Sequence, residues 1–208
     1  MSIYILSEKS YEGAKNLPCI LIKYLSCEID LDEYEALIFS SKNGVEAIQI
    51  LNKNWKNLPS YSIGSGTSKA IEKYNGQIVY EARSSYGDDF AKEIKDRLSG
   101  KKVLFLRAKV VTSSLKEILI SSGVKLSEAV IYETVCNECE NLKKPEKNSC
   151  IVFSSPSTIE CFFRCFSWDK SYKAVVIGTK SASYFPKDIP FIMSDKQNID
   201  ACIKMCSR

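Results

Sequence analysis

A strand–loop–helix pattern occurs twice in this chain, with an offset of 114 residues between the copies. The segment Ile38-Phe-Ser-Ser41 returns as Val152-Phe-Ser-Ser155, and the helix start Val45-Glu46 returns as Ile159-Glu160. A second motif, an isoleucine and a glycine followed by a hydroxyl side chain, returns at the same offset. Its copies are Ile63-Gly64 with Thr67 and Ile177-Gly178 with Ser181. A constant offset across separate motifs predicts two similar structural units.

Short apolar runs alternate with helical patterns along the whole chain, which is typical of parallel βαβ units. The 208 residues are enough for two domains of about one hundred residues each. The predicted fold class is therefore α/β, with two similar domains that are each a parallel sheet flanked by helices. The first copy continues to a strand at Lys102–Leu106, whereas the second copy ends one strand sooner.

The missing strand of the second copy predicts a discontinuous domain, because the two N-terminal strands can complete it. We expect domain one to comprise residues 1–25 plus 136–208, and domain two to comprise residues 30–130. Extended linkers at about 25–30 and 130–136 can pair with each other, and a short helix is predicted near Tyr11–Asn16. Two such units that face each other would form a cleft lined by hydroxyl groups and backbone N–H groups, which suits an anionic ligand.

Histidine is absent from the sequence, which excludes Ser-His-Asp and Cys-His hydrolases and most catalytic zinc sites. The net charge is +4, and the lysines and arginines are scattered, so no nucleic-acid partner is expected. No apolar run approaches the roughly 18 residues of a membrane span, so no membrane partner is expected. The N-terminal apolar run indicates a strand and not a signal peptide, which makes the cytoplasm the expected location.

The chain has nine cysteines, and this odd number argues against a disulfide framework. Cytosolic thiols are kept reduced, so we expect free cysteines. Cys136 and Cys139 have a metal-like spacing, but no histidine and no second C-x-x-C motif accompany them. Free thiols are preferred over a metal site here, and no metal is predicted.

Each repeated loop lies where a strand ends and a helix begins, and the first N–H groups of a helix are unpaired and carry partial positive charge. The serines of these loops either bind a ligand or only cap the helices. One loop, Gly64-Ser-Gly-Thr-Ser-Lys69, partly resembles a dinucleotide fingerprint, but Lys69 replaces its third glycine. A nucleotide-dependent enzyme stays open as an alternative.

The order and spacing of the motifs resemble the uroporphyrinogen-III synthase family over essentially the full length of the chain. The segments that carry the resemblance are Ile38-Phe-Ser-Ser-Lys-Asn-Gly-Val45, Ile63-Gly64 with Thr67, Val103-Leu-Phe-Leu-Arg107, Val130-Ile-Tyr-Glu-Thr134, Val152-Phe-Ser-Ser-Pro156, and Ile177-Gly178 with Ser181. The resemblance implies two flavodoxin-like domains joined by a two-stranded linker. It also implies a lyase that needs no cofactor.

The implied reaction cyclises linear hydroxymethylbilane to uroporphyrinogen III, in tetrapyrrole biosynthesis, with loss of water and inversion of ring D. Loss of the ring A hydroxyl gives an azafulvene, which ring D attacks to form a spiro-pyrrolenine that fragments and recloses. Spontaneous closure gives the type I isomer, so the enzyme mainly controls geometry. A monomer is expected, with transient contact with hydroxymethylbilane synthase. The rival hypothesis is a non-catalytic two-lobed protein that binds or senses an anion.

The resemblance places Tyr132 at the catalytic position, where its phenol can donate a hydrogen bond to the departing hydroxyl. The alternative role of Tyr132 is packing between lobes. Arg107 and Lys173 either neutralise substrate carboxylates or remain solvated. The substrate-binding residues expected in the repeated loops are Ser40, Ser41, Gly64, Thr67, Ser154, Ser155, Gly178 and Ser181.

Overall fold

The structure, a computed structural model, describes residues 1–84 and 86–207 and divides the chain into two compact units. The discontinuous unit comprises Met1–Leu21 and Thr134–Arg208, and the continuous unit comprises Ile22–Glu133. No helix in the described part of the chain is both long enough and apolar enough to cross a membrane.

The strands and helices alternate along most of the chain. The strands are β1 (Ile3–Ile5), β2 (Lys15–Asn16), β3 (Ile20–Tyr24), β4 (Ala36–Phe39), β5 (Pro59–Ser62), β6 (Gln77–Glu81), β7 (Lys102–Ala108), β8 (Lys125–Cys136), β9 (Cys150–Phe153), β10 (Lys173–Val176) and β11 (Phe191–Met193). The α-helices are α1 (Lys42–Leu51), α2 (Gly64–Lys73), α3 (Gly87–Leu98), α4 (Leu115–Ser121), α5 (Pro156–Cys165), α6 (Thr179–Ala182) and α7 (Ile199–Cys206). Two 3₁₀ turns occupy Lys53–Asn57 and Cys139–Asn141.

The continuous unit is built on a sheet with the strand order β3-β8-β7-β4-β5-β6, in which β8 through β6 are parallel. The chain segments at its β3 edge pair with opposite polarity. Leu25 N donates to Ile131 O at 2.9 Å, and Asn137 N donates to Cys19 O at the same distance. Partners that are later in one segment are thus earlier in the other, so each pair of segments runs antiparallel.

Both faces of this sheet are covered at its centre, which explains why strand β4 is apolar throughout. Leu37 and Phe39 pack into one cluster with the fully buried Trp55, whose ring centroid lies 5.5 Å from that of Phe39. Ala36 and Ile38 alternate to the other face and pack with helix α3. The central strand β4 is thus fixed by contacts on both sides.

The discontinuous unit is built on a parallel sheet with the order β11-β10-β9-β1-β2. Ile151 and Phe153 of β9 pack into one apolar cluster, whereas Cys150 and Val152 pack into another with the C-terminal helix α7. The N-terminal strand β1 pairs directly with β9, so residues from the two ends of the chain share one sheet. The predicted α/β class with two parallel, helix-flanked sheets is confirmed.

The helix predicted near Tyr11–Asn16 is wrong. Lys15 and Asn16 instead pair with Tyr4 and Ile5 as the edge strand β2. Gly13, with φ of 76°, adopts the left-handed conformation that turns the chain into this strand. A two-residue strand leaves no periodic signal in the sequence, so the polar residues before it were interpreted as a helix.

The prediction of free cysteines is also wrong, because six of the nine cysteines form disulfides. The pairs are Cys136–Cys161, Cys139–Cys165 and Cys150–Cys206. Cys19, Cys27 and Cys202 are free, which is why an odd total is compatible with pairing. The i,i+3 spacing in one segment and the i,i+4 spacing in α5 bring four cysteines together as two neighbouring pairs. All three disulfides lie in the discontinuous unit.

Candidate active site

The predicted site residues, with the exception of Lys173, lie at the carboxyl edges of the two parallel sheets. In the continuous unit, Phe39 at the end of β4 is in register with Ser62 of β5 and Leu106 of β7. In the discontinuous unit, Phe153 at the end of β9 is in register with Val176 of β10. The loops that follow these strands therefore meet at one edge of each sheet, where helix N-termini also converge.

The first repeated loop of the continuous unit places Ser41 at the N-cap of α1. The Ser41 Oγ atom accepts a hydrogen bond from Asn43 N at 3.2 Å, and the Ser41 carbonyl accepts one from Gly44 N at 3.0 Å. Ser41 is extended, with φ of −163°, as N-cap residues usually are. Ser40 precedes it and is partly buried. The loop thus presents hydroxyl groups at the start of α1, where the N–H groups of Asn43 and Gly44 are already bonded to Ser41.

The second repeated loop follows β5 and begins α2 at Gly64. Gly64 has φ of 67°, a left-handed conformation that favours glycine over any residue with a side chain. Thr67 is buried in the first turn of α2, while Gly66 faces open space. The first turn of this helix therefore exposes backbone at Gly66, whereas the Thr67 hydroxyl is withdrawn from solvent.

Tyr132 lies in β8 and is only 5% exposed. Its backbone carbonyl accepts a hydrogen bond from Lys109 N at 2.9 Å, which fixes the strand at this position. Burial raises the pKa of the Tyr132 phenol above 10.0, and a hydrogen bond with the Ser41 side chain partly offsets that rise. The phenol is consequently neutral at physiological pH and keeps its proton.

Arg107, at the end of β7, is held inside the continuous unit by its neighbours. Its Nη1 atom donates to Ala108 O at 2.9 Å and to Lys109 O at 3.2 Å. Its Nε atom lies 2.6 Å from Glu128 Oε1, but the N–H direction is unsuitable for a hydrogen bond to any described residue. Charge attraction, more than a directed hydrogen bond, therefore joins Arg107 to Glu128.

Glu128 also contacts Lys116 of α4. Burial alone would raise the pKa of Glu128, but the Lys116 hydrogen bond and the charges of Arg107 and Lys116 outweigh it. The pKa of Glu128 is consequently lowered, and the carboxylate is ionised at neutral pH. These charges line an open groove of about 410 Å³ together with Lys109 and the exposed Val110.

Lys109 and Lys116 were not singled out from the sequence as site residues. The Lys109 Nζ atom lies 2.9 Å from Glu133 Oε2, and its side chain is otherwise mostly exposed. The available signal was the position of Lys109 directly after strand β7. Lys116 lies in a helix with no distinguishing motif, so its proximity to Glu128 is visible only from their hydrogen bond in the folded chain.

The corresponding loop of the discontinuous unit is capped more completely. Ser155 Oγ accepts from Thr158 N at 3.3 Å, and Thr158 Oγ1 accepts from Ser155 N at 3.1 Å. This reciprocal pair is a capping box, with Pro156 at the start of α5. Ser154 is partly buried at the end of β9. Both repeated serine loops are therefore N-caps, as the capping alternative required, and both also remain at the carboxyl edge.

Gly178 and Ser181 follow β10 at the same edge. A side chain on Gly178 would come within 2.8 Å of Gln197 Nε2, so glycine permits the close approach of Gln197. Ser181 is buried in the short helix α6. Sequence analysis did not identify Gln197, because nothing local to it indicates contact with a glycine loop.

An apolar groove of about 300 Å³ lies beside the Ser155 loop. It is lined by Pro156, Ile159, Glu160, Phe163, Tyr184 and Pro186. Tyr184 is 57% exposed, which leaves an aromatic face available to a ligand. The sequence places Tyr184 in the short helical segment after Gly178, but gives no reason to expect its exposure.

Lys173 lies at the opposite edge of its sheet, at the start of β10 and in register with Cys150. Its Nζ atom lies 3.3 Å from the carbonyl oxygens of Met205 and Cys206 and donates to both. These carbonyls belong to the last turn of α7, so the ammonium group caps this helix. The structure does not bring Lys173 together with Ser154, Gly178 or Ser181.

In the part of the chain that the structure describes, no group of three or more Cys, Asp or Glu side chains is arranged to hold a metal ion. The chemical groups at the carboxyl edges are hydroxyls, helix N–H groups and paired charges. Duplicated parallel units with hydroxyl-bearing turns define a flavodoxin-like α/β protein.

Residues 13–204 match the family described as uroporphyrinogen-III synthase HemD, and the chain belongs to this family. A solved structure of uroporphyrinogen-III synthetase from Helicobacter pylori is similar, with a TM-score of 0.82 and 28% sequence identity. The match covers 98% of this chain and 97% of that one. No curated protein sequence matches the chain.

A mutant uroporphyrinogen III synthase from the extreme thermophile Thermus thermophilus is also similar, with a TM-score of 0.54 and 10% identity. That match covers 100% of this chain and 98% of the other, and at this identity it supports the fold alone. Family membership makes the chain a cyclising lyase of tetrapyrrole biosynthesis that acts on hydroxymethylbilane.

Proposed function

We propose that the carboxyl-edge turns bind the carboxylates of hydroxymethylbilane and that Tyr132 assists departure of the ring A hydroxyl. The observation that carries this proposal is the position of the Tyr132 phenol, which is buried, neutral and hydrogen-bonded to Ser41. A neutral phenol can donate a hydrogen bond to a leaving hydroxyl and can supply its proton as water departs. The azafulvene that results is then ready for attack by ring D.

The anionic substrate groups are proposed to bind at the helix N-termini that follow β4, β5, β9 and β10. Backbone N–H groups at these positions stabilise carboxylates without a large number of arginines. In the continuous unit the contacts come from Ser40, Ser41, Gly64 and Thr67. In the discontinuous unit they come from Ser154, Ser155, Gly178 and Ser181.

The proposed roles of Arg107 and Lys173 differ in how well their positions support them. Arg107 lines the charged groove at the carboxyl edge, and because its Nη1 atom donates to two backbone carbonyls, Nη2 is the group it can offer to a carboxylate. Lys173 lies at the opposite edge, and its contacts favour helix capping over substrate binding. The substrate-binding role of Lys173 stays a prediction.

The decisive experiment supplies porphobilinogen and a porphobilinogen deaminase to the purified protein and separates the resulting uroporphyrin isomers after oxidation. We expect an excess of the type III isomer, with only type I in the reaction that lacks the protein. Type I alone in both reactions would support the rival anion sensor. Addition of nucleotides should leave the isomer ratio unchanged, since the Gly64 loop lacks the third glycine of the dinucleotide fingerprint.

We also propose that the protein acts as a monomer in the cytoplasm and contacts hydroxymethylbilane synthase transiently. Support for the partner comes from the chemistry, because an unstable linear substrate closes spontaneously to the type I product when its transfer is slow. Support for the location comes from the family's biosynthetic role. Cytosolic disulfides are uncommon, so the number of free thiols in protein isolated from the cell tests this location.

A further inference from the structure

The two repeated serine loops differ at one position that determines the surroundings of the catalytic candidate. In the discontinuous unit, Thr158 returns hydrogen bonds to Ser155 and completes the cap. The matching position in the continuous unit is Gly44, which has no side chain. A methyl group built on Gly44 would lie 3.8 Å from Tyr132 Cε1 and 3.1 Å from Leu106 O. The Tyr132 ring therefore packs against the position that the threonine side chain occupies in the other copy.

The Ser41 hydroxyl consequently has a different set of hydrogen-bond partners from the Ser155 hydroxyl. One lone pair of Ser41 Oγ accepts the hydrogen bond from Asn43 N. A serine hydroxyl has one hydrogen to donate and two lone pairs to accept with, so its hydrogen is available for the bond to the Tyr132 hydroxyl oxygen. With that oxygen acting as the acceptor, the hydrogen of Tyr132 is left to point at another group.

We propose that Ser41 is a positioning residue, which donates its hydroxyl hydrogen to the Tyr132 oxygen and thereby orients the phenolic hydrogen toward the leaving group of the substrate. This inference rests on the proposed role of Tyr132 and deepens it. The Ser41 side chain then acts through Tyr132, and the contact of this loop with a substrate carboxylate is made by its backbone. A hydrogen bond donated to the phenol oxygen also makes the phenol a better acid, because it stabilises the tyrosinate.

Burial of the phenol supports the same argument. Tyr132 is 5% exposed and Ser41 is partly buried beneath the start of α1. Water would otherwise compete for the phenol oxygen and allow the hydroxyl hydrogen to rotate among several directions. A fixed donor behind the oxygen leaves one productive direction for the hydrogen, and this reduces the orientational cost of proton donation.

The test is a double-mutant cycle between Ser41 and Tyr132, with steady-state rates and isomer ratios as readouts. Ser41→Ala should lower kcat by about three- to tenfold, the range that one neutral hydrogen bond supports, with KM changed by less than about twofold. Ser41→Thr keeps the hydroxyl and should restore most of the rate. In the Tyr132→Phe background, Ser41→Ala should cause no further loss.

A second readout reports the hydrogen bond directly and does not require substrate. The pKa of Tyr132 can be followed by NMR of protein labelled with ¹³C at tyrosine Cζ, with the resonance assigned by its absence from Tyr132→Phe. Ser41→Ala should raise this pKa, since it removes the donor that favours the tyrosinate. Ser155→Ala is the matched control, because it removes the corresponding N-cap in the other unit and should not alter the Tyr132 pKa.

Several outcomes would overturn the inference. An unchanged Tyr132 pKa in Ser41→Ala, or a rate loss of equal size in the Tyr132→Phe background, would show that Ser41 does not act through Tyr132. A wild-type rate in Tyr132→Phe alone would overturn the proposed proton donor, and the inference with it. Failure of the Ser41 role and failure of the Tyr132 role are distinguishable, because the Tyr132→Phe rate is measured with Ser41 intact.

Discussion

Proton transfer in this chain has to use groups other than imidazole, because the sequence contains no histidine. A buried phenol suits an acid-assisted dehydration, since it keeps its proton across the physiological range. Tyr132 combines this property with a position at the carboxyl end of the continuous sheet, where Ala108 of β7 is in register with it. Among single residues, Tyr132 therefore carries the strongest expectation of a direct chemical role.

Tyr132→Phe should lower kcat by about ten- to a hundredfold, because it removes one general-acid contact while preserving the ring. The measurement is the rate of uroporphyrinogen III formation from enzymatically generated hydroxymethylbilane. Tyr61→Phe is the matched control, since Tyr61 is also a buried tyrosine of the continuous unit but packs on the opposite face of the sheet. Equal rates in Tyr132→Phe and Tyr61→Phe would contradict the assignment.

Lys173 illustrates how the position of a residue within its strand changes the interpretation of its charge. The sequence shows a lysine just before an apolar run, and this is compatible with either a substrate contact or a solvated cation. In the structure, its ammonium group donates to two carbonyls of the last turn of α7. The strand direction explains the difference, since residues at the start of β10 lie at the edge away from the loops.

Lys173→Met should lower the free energy of unfolding by about 0.5–1 kcal/mol, because it removes a cation at a helix C-terminus. Denaturant unfolding measures this change, and Lys170→Met, a lysine in the loop before β10, is the control. The KM for hydroxymethylbilane separates the two interpretations of Lys173. A KM increase of tenfold or more, without loss of stability, would favour substrate binding over helix capping.

At the scale of secondary-structure elements, a charged cluster joins α4 to the carboxyl half of the continuous sheet. Arg107 of β7 and Lys116 of α4 both contact Glu128 of β8. The side chain of Glu128 is 16% exposed, so these attractions are screened less than those at the surface. Helix α4 has only seven residues, and this cluster adds to its apolar contacts through Leu115 and Leu119.

Because the pKa of Glu128 is lowered, the free energy of unfolding of the continuous unit should decrease at acid pH. Because the folded-state pKa is below the unfolded value near 4.5, its contribution is fully present above that value and is lost as pH falls through the folded-state pKa. Glu128→Gln should therefore reduce stability at pH 7 and show a shallower loss of stability below pH 4.5. Unfolding titrations at several pH values measure both effects.

The matched control for Glu128→Gln is Glu133→Gln, because Glu133 lies on the same strand, β8. This variant breaks the pair between Glu133 and the largely exposed Lys109. An exposed pair contributes little to stability, so Glu133→Gln should change the unfolding free energy by less than about 1 kcal/mol. If both variants show the same acid profile as the wild type, the Glu128 cluster does not contribute to the pH dependence.

At the scale of the whole molecule, covalent cross-links are confined to one unit. Cys136–Cys161 and Cys139–Cys165 join the end of β8 and the following 3₁₀ turn to α5, and Cys150–Cys206 joins β9 to α7. The sole cysteine between residues 22 and 133 is Cys27, which is exposed and free. Any effect of a reducing environment should therefore concentrate in the discontinuous unit.

Reduction should destabilise the discontinuous unit selectively. Chain-entropy arguments assign about 3–4 kcal/mol to a disulfide that closes a loop of the observed separations, 25, 26 and 56 residues, although overlapping loops contribute less than their sum. Hydrogen exchange with and without a phosphine reductant measures this region by region. We expect faster exchange in β9, α5 and α7 after reduction, and unchanged exchange in β4, β7 and α3.

Cys27→Ser is the control for this experiment, since it removes a thiol without removing a cross-link. Thiol counts on protein isolated under acid-quenched, alkylating conditions give the state in the cell. Three reactive groups correspond to the fully paired chain and nine to the fully reduced chain. Equal acceleration of exchange in both units after reduction would contradict confinement of the effect.

Features that depend on residues close together in the sequence were predicted well, and features that depend on distant residues were not. Strand β9 and the start of α5 were predicted closely, because an apolar run, a serine cap and a proline adjoin each other at Phe153, Ser155 and Pro156. The short strand β2 was misassigned, because its pairing with β1 gives no signal within residues 11–16. The contact between Ser41 and Tyr132 also had no local signal, although both residues were candidates for the site.

The sequence alone determined the duplicated βα pattern, the apolar strands and the hydroxyl caps, because each depends on residues a few positions apart. Only the tertiary structure decided which cysteines pair, that Lys173 lies at the edge away from the loops, and that Tyr132 packs over Gly44 beside Ser41. These contacts follow from the strand orders β8-β7-β4 and β10-β9-β1. Strand order results from burial of apolar surface over the whole sheet, and no short segment of the chain encodes it.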